Sequence, residues 1–348
     1  MTDGPGGRYT LQGLEVEVAV LTEQGPREEN QDAFLAEGFA ERGLLAVADG
    51  MGGEEGGRLA ADTALEALGS AAPIGSFDAA RHAIQNADQA VARTAAGDAR
   101  GRSKMGCALG LLSLVRERGG APGWIVAHVG DVRVLSRSAD GTVRLETRDH
   151  TPAFARWEAG EIGLDEVPDA KGANRLQHAV GHGGEPDVAW IPARPGWSYL
   201  IISDGVFKAM RLDEIGETMA SSPGSCCDQI RAKVLERGPD DNFTALALRV
   251  GGSEPPDDNT LTHGMGPTTP PLSAPRARRW PGLTALAALL LATAALWLGW
   301  QARADAPRRA ALEREVAGLR AELDSLGADA LRERDPFGPE LTQPDTSP

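Results

Sequence analysis

LLAVADGMGGEEGG, residues 44–57, decides how the chain is read. An unbroken apolar run, Leu44 to Ala48, leads into Asp49 and Gly50. Met51 follows, then Gly52-Gly53 and Gly56-Gly57 around Glu54 and Glu55. A short apolar run closed by glycines reads as a buried strand. It delivers one carboxylate to a fixed point, with glycines that clear space around it. Glu54 and Glu55 then fall at the start of a helix, where acids suit the dipole.

The same grammar recurs through the first 250 residues. EVEVAVLTEQG alternates apolar and polar residues, as a strand does. CALGLLSLV, GWIVAHVG, VRVLSRS, TVRLET, WSYLIIS and FTALALRV read as further strands, with a hairpin turn at Ala139-Asp140-Gly141. Helical periodicity marks residues 57–72 and RHAIQNADQAVARTA, residues 81–95. Many strands in hairpin-like links with helices grouped between them give an α+β domain built on antiparallel sheets.

Acidic residues end or begin those strands. Asp49 follows LLAVA, Asp131 follows IVAHVG, Asp204 follows LIIS, Asp241 precedes NFTALALRV, and Asp32 precedes a short apolar run. One Asp-Gly at a strand end is ordinarily a turn. Five strand-end aspartates in one domain point to a shared site, because strand ends can converge at one sheet edge. Clustered carboxylates repel unless cations hold them, and hard oxygen ligands suit magnesium or manganese. Arg27 stands five residues before Asp32, and a guanidinium can grip a phosphate with two parallel hydrogen bonds.

Bulk properties narrow the classes. The chain has 348 residues, 41% of them hydrophobic, and a formal charge of -15. That is enough for a sizeable core, and it argues against a nucleic-acid partner, which would want a basic face. The three cysteines, Cys107 and the neighbours Cys226 and Cys227, read as small buried hydrophobes in a reducing compartment. His178 and His182 lie four apart, a zinc spacing on a helix, but Gly181, Gly183 and Gly184 argue against a helix there. GxSxG, GxxxxGK[ST] and GxGxxG are absent from the sequence.

Beyond residue 250 the composition changes. Residues 251–280, rich in Pro, Gly, Thr and Ser, read as a flexible linker. PGLTALAALLLATAALWLGW, residues 281–300, carries no charge. At helical rise it spans about 30 Å, the thickness of a hydrocarbon core. Arg276, Arg278 and Arg279 precede it, and Trp280, Trp297 and Trp300 lie near its ends. It is expected to be a single transmembrane helix. Arginines flank it on both sides, so orientation rests on the N-terminus, MTDGPGGRYTLQG, which lacks a signal-peptide pattern. That places residues 1–280 in the cytoplasm and the tail, 301–348, outside. Within the tail, Leu312, Val316, Leu319, Leu323 and Leu326 form a short heptad seam, so a helix over about 308–327 and a possible dimer are expected before a disordered end.

The ordered series Arg27-x-x-Asn30-Gln31-Asp32, VADGMGG, HVGDVRVL, TRDHT, IISDGV and DDNFT resembles the metal-dependent Ser/Thr protein phosphatases of the protein phosphatase 2C family, in their bacterial form. Each motif is weak alone; six in order are specific. The catalytic domain so outlined covers residues 8–250. The resemblance implies two antiparallel sheets packed face to face, flanked by helices, with a two-metal Mn2+ or Mg2+ site at one edge. Asp49 would bridge both ions, the Gly50 carbonyl would hold one, and Asp204 and Asp241 the other. Asp32 would act through a metal-held water, Arg27 would bind the phosphate, and Asp131 with Asp204 could take a third ion. Water attacks phosphorus directly in such a site, so no nucleophilic Cys or Ser is required.

There are departures from the family pattern. Gln31 stands where many members carry Glu, and it brings no charge. Met51 stands where eukaryotic members often have a His, proposed as the acid for the leaving group. EVPDAKGAN, after Asp165, lacks a His-Pro element common in the flap that helps set substrate choice. Gly106-Cys107-Ala108 replaces a frequent Gly-Thr-Thr. The implied partners are phosphorylated proteins and an opposing Ser/Thr kinase. A phosphatase-like binding module without turnover, and another two-metal hydrolase such as a nuclease, are the alternatives.

Overall fold

The structure is a computed structural model that describes residues 6–53, 56–97, 104–116 and 120–252. The linker, the apolar stretch 281–300, the heptad tail and the Glu54-Glu55 pair lie outside the described residues. Among the described residues, no helix is long and apolar enough to cross a membrane.

Two antiparallel sheets form the centre. The first joins β1 (Gly7–Leu11), β2 (Leu14–Glu23), β11 (Phe243–Val250), β10 (Ser198–Ile202), β7 (Arg133–Arg137) and β8 (Val143–Leu145), in that order. The second joins β3 (Asp32–Leu35), β4 (Leu44–Met51), β5 (Gly106–Arg116), β6 (Pro122–Val129) and β9 (Asp187–Pro192). The expected α+β architecture is therefore what the chain adopts.

Helices cover both outer faces, which explains why the strands are apolar on both sides. In β4, Leu45 and Val47 face the other sheet, while Leu44, Ala46 and Ala48 face out. That outer face packs under α2 (Gly56–Ser70) and α3 (Phe77–Gly97) through Ala60, Ala64, Leu68, Ile84 and Val91. In β10, Tyr199 and Ile201 point to the inter-sheet core, and Leu200 and Ile202 point out. The outward pair meets a second helical layer. It comprises α4 (Pro152–Glu158), α5 (Asp204–Ala209), α6 (Leu212–Thr218) and α7 (Pro223–Arg237). A one-turn helix, α1 (Phe39–Arg42), closes one end, and Phe39, Trp124 and Tyr199 form an aromatic column between the sheets. Each such buried side chain stabilises by about 1.5–3 kcal/mol relative to exposure.

Sequence and structure differ in instructive places. The two expected helices are present with shifted ends, and α4 to α7 and the edge strand β9 add to the pattern. The hairpin at 139–141 forms, with Gly141 at a φ of 91° and Ser138 N donating to Thr142 O at 3.0 Å. Residues 178–182 form bends and a turn, not a helix, because Asp88 accepts from the backbone N–H of Gly181 and Gly183. All three thiols are buried and free. Burial pushes the thiols of Cys226 and Cys227 up to about 11 and about 12, so they are unreactive packing groups.

Candidate active site

Antiparallel pairing explains why the aspartates meet. β3 starts where β4 ends, and Asp32 lies directly opposite Asp49. In the facing sheet, Ile202 at the end of β10 pairs with Ala245 near the start of β11 and with Arg133 at the start of β7. Both sheets thus present strand ends at one edge of the sandwich. Two connections cross between the sheets there: residues 24–31 from β2 to β3, and residues 130–132 from β6 to β7. The first carries Arg27 and Gln31, the second Asp131.

A cleft of about 910 Å³ opens at this edge, lined by Arg27, Gln31, Asp49, Gly50, Asp131, Asp204, Lys208 and Asp241 among others. Of the seven residues singled out in the sequence, six line it. Asp32 does not; it is buried behind Asp49, where Ser203 Oγ donates to its Oδ2 at 2.6 Å. Ser203 Oγ in turn accepts from Thr244 N at 2.9 Å, tying β3 to the ends of β10 and β11.

The electrostatics are those of carboxylates short of cations. Burial pushes the Asp32 carboxyl up to about 7, against the hydrogen bonds it receives. Asp49 touches the cleft, yet the protein packed around it desolvates its carboxylate and raises its pKa. Asp204, Asp32 and Asp131 push the same way. Burial likewise raises Asp131 and Asp204. Carboxylates driven toward protonation by desolvation and mutual repulsion gain most from bound divalent cations, and an all-oxygen donor set suits Mg2+ or Mn2+. The residues present fit such ions.

Gly50 has a structural reason of its own. A Cβ there would lie 2.1 Å from Gly57 O and 2.7 Å from Gln31 O. Its missing side chain admits the backbone at the start of α2, rather than clearing room for metal and water as expected. Gly50 N also donates to Gln31 O at 3.2 Å. Gln31 does more than replace a Glu: its amide donates to Gly53 O at 2.9 Å and holds the glycine turn.

Three features escaped the sequence reading. Lys208, one helical turn after Asp204, places Nζ 2.6 Å from Asp204 Oδ2 and 3.3 Å from Asp241 Oδ2. Burial works against its charge, but those two carboxylates outweigh burial and raise its pKa, so it is an ammonium. The i, i+4 spacing of Asp204 and Lys208 was the available signal. Second, Asn242 braces the Arg27 loop: its Nδ2 donates to Gln24 O and Glu29 O, and its Oδ1 accepts from Gln31 N. Third, Arg133 and Asp149 form a buried ion pair just behind Asp131.

Arg27 enters the cleft as expected, where Nη2 lies 3.0 Å from Asp241 Oδ2 and Nε donates to Asp240 O at 2.9 Å. His178 and His182 do not pair; His178 packs edge-on against His150 instead. Among the described residues, His128, His150 and Asp187 bring potential ligand atoms within 4.8 Å of one another. Their hydrogen bonds oppose a metal there. His150 Nδ1 accepts from Gly130 N, which puts its proton on Nε2, facing Asp187 Oδ2 at 3.5 Å. His128 is buried neutral, its pKa lowered to about 3 chiefly by desolvation, and its Nε2 accepts from Arg148 N. The cluster reads as a hydrogen-bonded brace for the residues on either side of Gly130.

A profile for protein phosphatase 2C matches residues 26–223. The chain belongs to the protein phosphatase 2C family. A putative protein phosphatase 2C-type protein of Streptococcus pyogenes is 26% identical over 254 residues, 69% of this chain and 99% of that protein. The Ser-Thr phosphatase MsPP of Mycobacterium smegmatis, solved in complex with cacodylate, is 32% identical with a TM-score of 0.59. The match covers 67% of this chain and 98% of that one. The catalytic domain of the phosphatase PstP, solved with two manganese ions, is 26% identical with a TM-score of 0.60, over 69% and 100% of the two chains. The chain is a metal-dependent protein-serine/threonine phosphatase that uses Mn2+ or Mg2+. The alternative of a nuclease falls away with this assignment.

Proposed function

We propose that the cleft hydrolyses phosphoserine and phosphothreonine on proteins through two divalent cations, and that residues 281–300 hold the enzyme at the cytoplasmic membrane. The observation that carries the chemistry is the convergence of Asp49, Asp131, Asp204 and Asp241 with Arg27 on one cleft. Asp49 and the Gly50 carbonyl would hold one ion, and Asp49, Asp204 and Asp241 the other; a relative solved with two manganese ions supports the count. Such ions activate a water and neutralise phosphate oxygens. The chain's own groups do the rest. Arg27 binds the phosphate, and Asn242 fixes the loop that carries it. Asp32, buried against Asp49, orients water through the carboxylate network. Asn174, at the end of the flap segment, and Leu176 just beyond it also line the cleft, where a peptide flanking the phosphate would lie.

The anchor rests on the uncharged 20-residue stretch and its flanking arginines and tryptophans. A cytoplasmic catalytic domain, an opposing Ser/Thr kinase and a tail that pairs chains through its heptads complete the reading. The test is phosphate release from a phosphothreonine peptide by the full chain in detergent, with and without Mn2+. Asp49→Asn and Asp241→Asn serve as controls. Mn2+-dependent turnover lost in both variants supports the reading; a folded chain without turnover makes it a binding module. For the anchor, the chain should partition with membranes and move to the soluble fraction when residues 281–300 are deleted. A full-length chain that stays soluble without detergent refutes it.

A further inference from the structure

Lys208 is a cation placed where the two-metal reading has no need of one. It leaves α5 one turn after Asp204 and reaches back between Asp204 and Asp241, at 2.6 and 3.3 Å. Its side chain is only 20% exposed, so the contact is built into the wall of the cleft and is not a surface pair. On its inner side, Lys208, Asp131 and Asp204 enclose a small cavity together with Asp149, Phe207 and Asn174. That cavity measures about 10 Å³. This is about the least volume that admits a single water, and Mg2+ keeps several waters in its shell. The resemblance to the family gives Asp131 and Asp204 as a possible seat for a third ion. The ammonium of Lys208 is bonded to Asp204 at the edge of that seat. The inner cavity beside it is too small for a hydrated cation, and on the open side, where Asp131, Asp204 and Lys208 line the cleft, its charge opposes one.

We infer that Lys208 is a tethered cation of the metal centre: it neutralises the Asp131–Asp204 side and excludes a third divalent ion, leaving a two-ion site. The inference rests on the two-metal reading above. Charge bookkeeping agrees with it. Asp49, Asp131, Asp204 and Asp241 contribute four negative charges, and Lys208 and Arg27 return two. Two divalent ions and a phosphate dianion then bring these six groups to neutrality, whereas a third ion would leave them positive. Lys208 also holds Asp204 by a strong charge-assisted bond, which fixes that carboxylate for its ion. It is thus a positioning residue that acts through Asp204 and Asp241.

The experiment counts ions on the full chain in detergent. Bound metal is first removed with a chelator and the chelator is dialysed away. Mn2+ is then titrated in, with free Mn2+ read by electron paramagnetic resonance and heat by calorimetry. The unaltered chain should bind two Mn2+ per chain. Lys208→Met, which removes the cation with little loss of bulk, and Lys208→Asn, which also shortens the side chain, should bind three, the third weakest. Lys208→Arg, which keeps the charge, should return the count to two. Circular dichroism confirms that each variant is folded. An additional Asp131→Asn change should abolish the third ion of Lys208→Asn. Three ions on the unaltered chain, or two on both neutral variants, overturns the inference while leaving the two-metal reading intact. No binding to the unaltered chain, or undiminished binding to Asp49→Asn and Asp241→Asn, overturns the two-metal reading and the inference with it.

Discussion

Breaking the ion pair between Arg133 and Asp149 should cost more than any other single polar change near the site. Both side chains are 3% exposed. The guanidinium meets the carboxylate with two of its nitrogens: Nε lies 3.0 and 3.1 Å from Oδ1 and Oδ2, and Nη2 lies 2.7 Å from Oδ2. Its other face stacks on Phe207 at 3.7 Å from the ring centroid. Arg133→Met keeps the aliphatic stem and the packing on Phe207 but leaves the Asp149 carboxylate buried and unpaired. Removing one partner of a buried pair costs about 3–5 kcal/mol. For a domain of this size each kcal/mol moves the melting midpoint by about 2–4 °C, so a fall of roughly 6–20 °C is expected. The double variant Arg133→Met/Asp149→Asn removes both charges and should recover much of the loss, because the cost lies in the orphaned carboxylate. Urea and thermal unfolding of the wild type, both single variants and the double variant give the coupling directly. Strict additivity, or a cost below about 1 kcal/mol for Arg133→Met, would refute the assignment of this pair as the brace behind Asp131.

Other changes test the site from different sides. Gly50→Ala would place a Cβ 2.1 Å from Gly57 O, so α2 must shift. Urea unfolding should show a loss of about 1–3 kcal/mol, and an unmoved midpoint would show that α2 yields freely. Arg27→Ala should lower kcat/KM on a phosphopeptide by roughly tenfold to a hundredfold, the worth of a charged hydrogen bond to phosphate, while leaving the melting midpoint in place. An unchanged kcat/KM would remove Arg27 from phosphate binding. Chelation should abolish turnover and expose a pH dependence of stability. An acid with a raised pKa in the folded state holds a proton there that the unfolded chain has released. Its contribution is therefore favourable at low pH and is lost as pH rises toward the raised value. For Asp32 the window runs from 3.8 to about 7, and Asp49, Asp131 and Asp204 add in the same direction. The chelated protein should melt higher at pH 5.5 than at pH 8, and Mn2+ should reverse that order. Equal melting points in chelator would contradict the buried acid cluster.

The strands were legible because both sheet faces are covered. FTALALRV became β11 with no change of boundary, and the apolar runs of β4, β5 and β10 are strands whose two sides feed two different cores. The helices α4 to α7 were less visible. Most are short, and α5 and α6 are fixed by the layer they pack into, not by a periodicity of their own. The strand β9 carries Trp190 at 41% exposure and borrows its order from β6, so its own pattern is weak. Of the site, the carboxylates could be read because each marks a strand end. Asn242 could not, because it braces a loop 218 positions away. The Arg133–Asp149 pair could not, because nothing local marks two residues 16 apart as partners. Lys208 left only the i, i+4 spacing to Asp204, its contact with Asp241 lying 33 positions away.

The placement of charge at this edge also has a folding cost that the architecture contains. Buried aspartates on adjacent strands, such as Asp32 opposite Asp49, repel across the ladder and weaken it. The remedy in this chain is local: Ser203 and Thr244 bind Asp32 from the facing sheet, while Lys208 and Arg27 draw in Asp204 and Asp241. Asp32 is thereby tied to the facing sheet and Asp241 to the crossing connection that carries Arg27, while Asp204 is held from within its own helix. The site edge is where the two sheets are stitched together by polar contacts, as the aromatic column stitches them within the core. A loss of cations there should therefore loosen the packing of the sheets at that end first. Hydrogen exchange should show this as faster exchange at Gly50, Ser203 and Thr244 in chelator, with Leu112, Val126 and Tyr199 unchanged. Uniform acceleration across both groups would mean that the acids load the whole sandwich and not its edge.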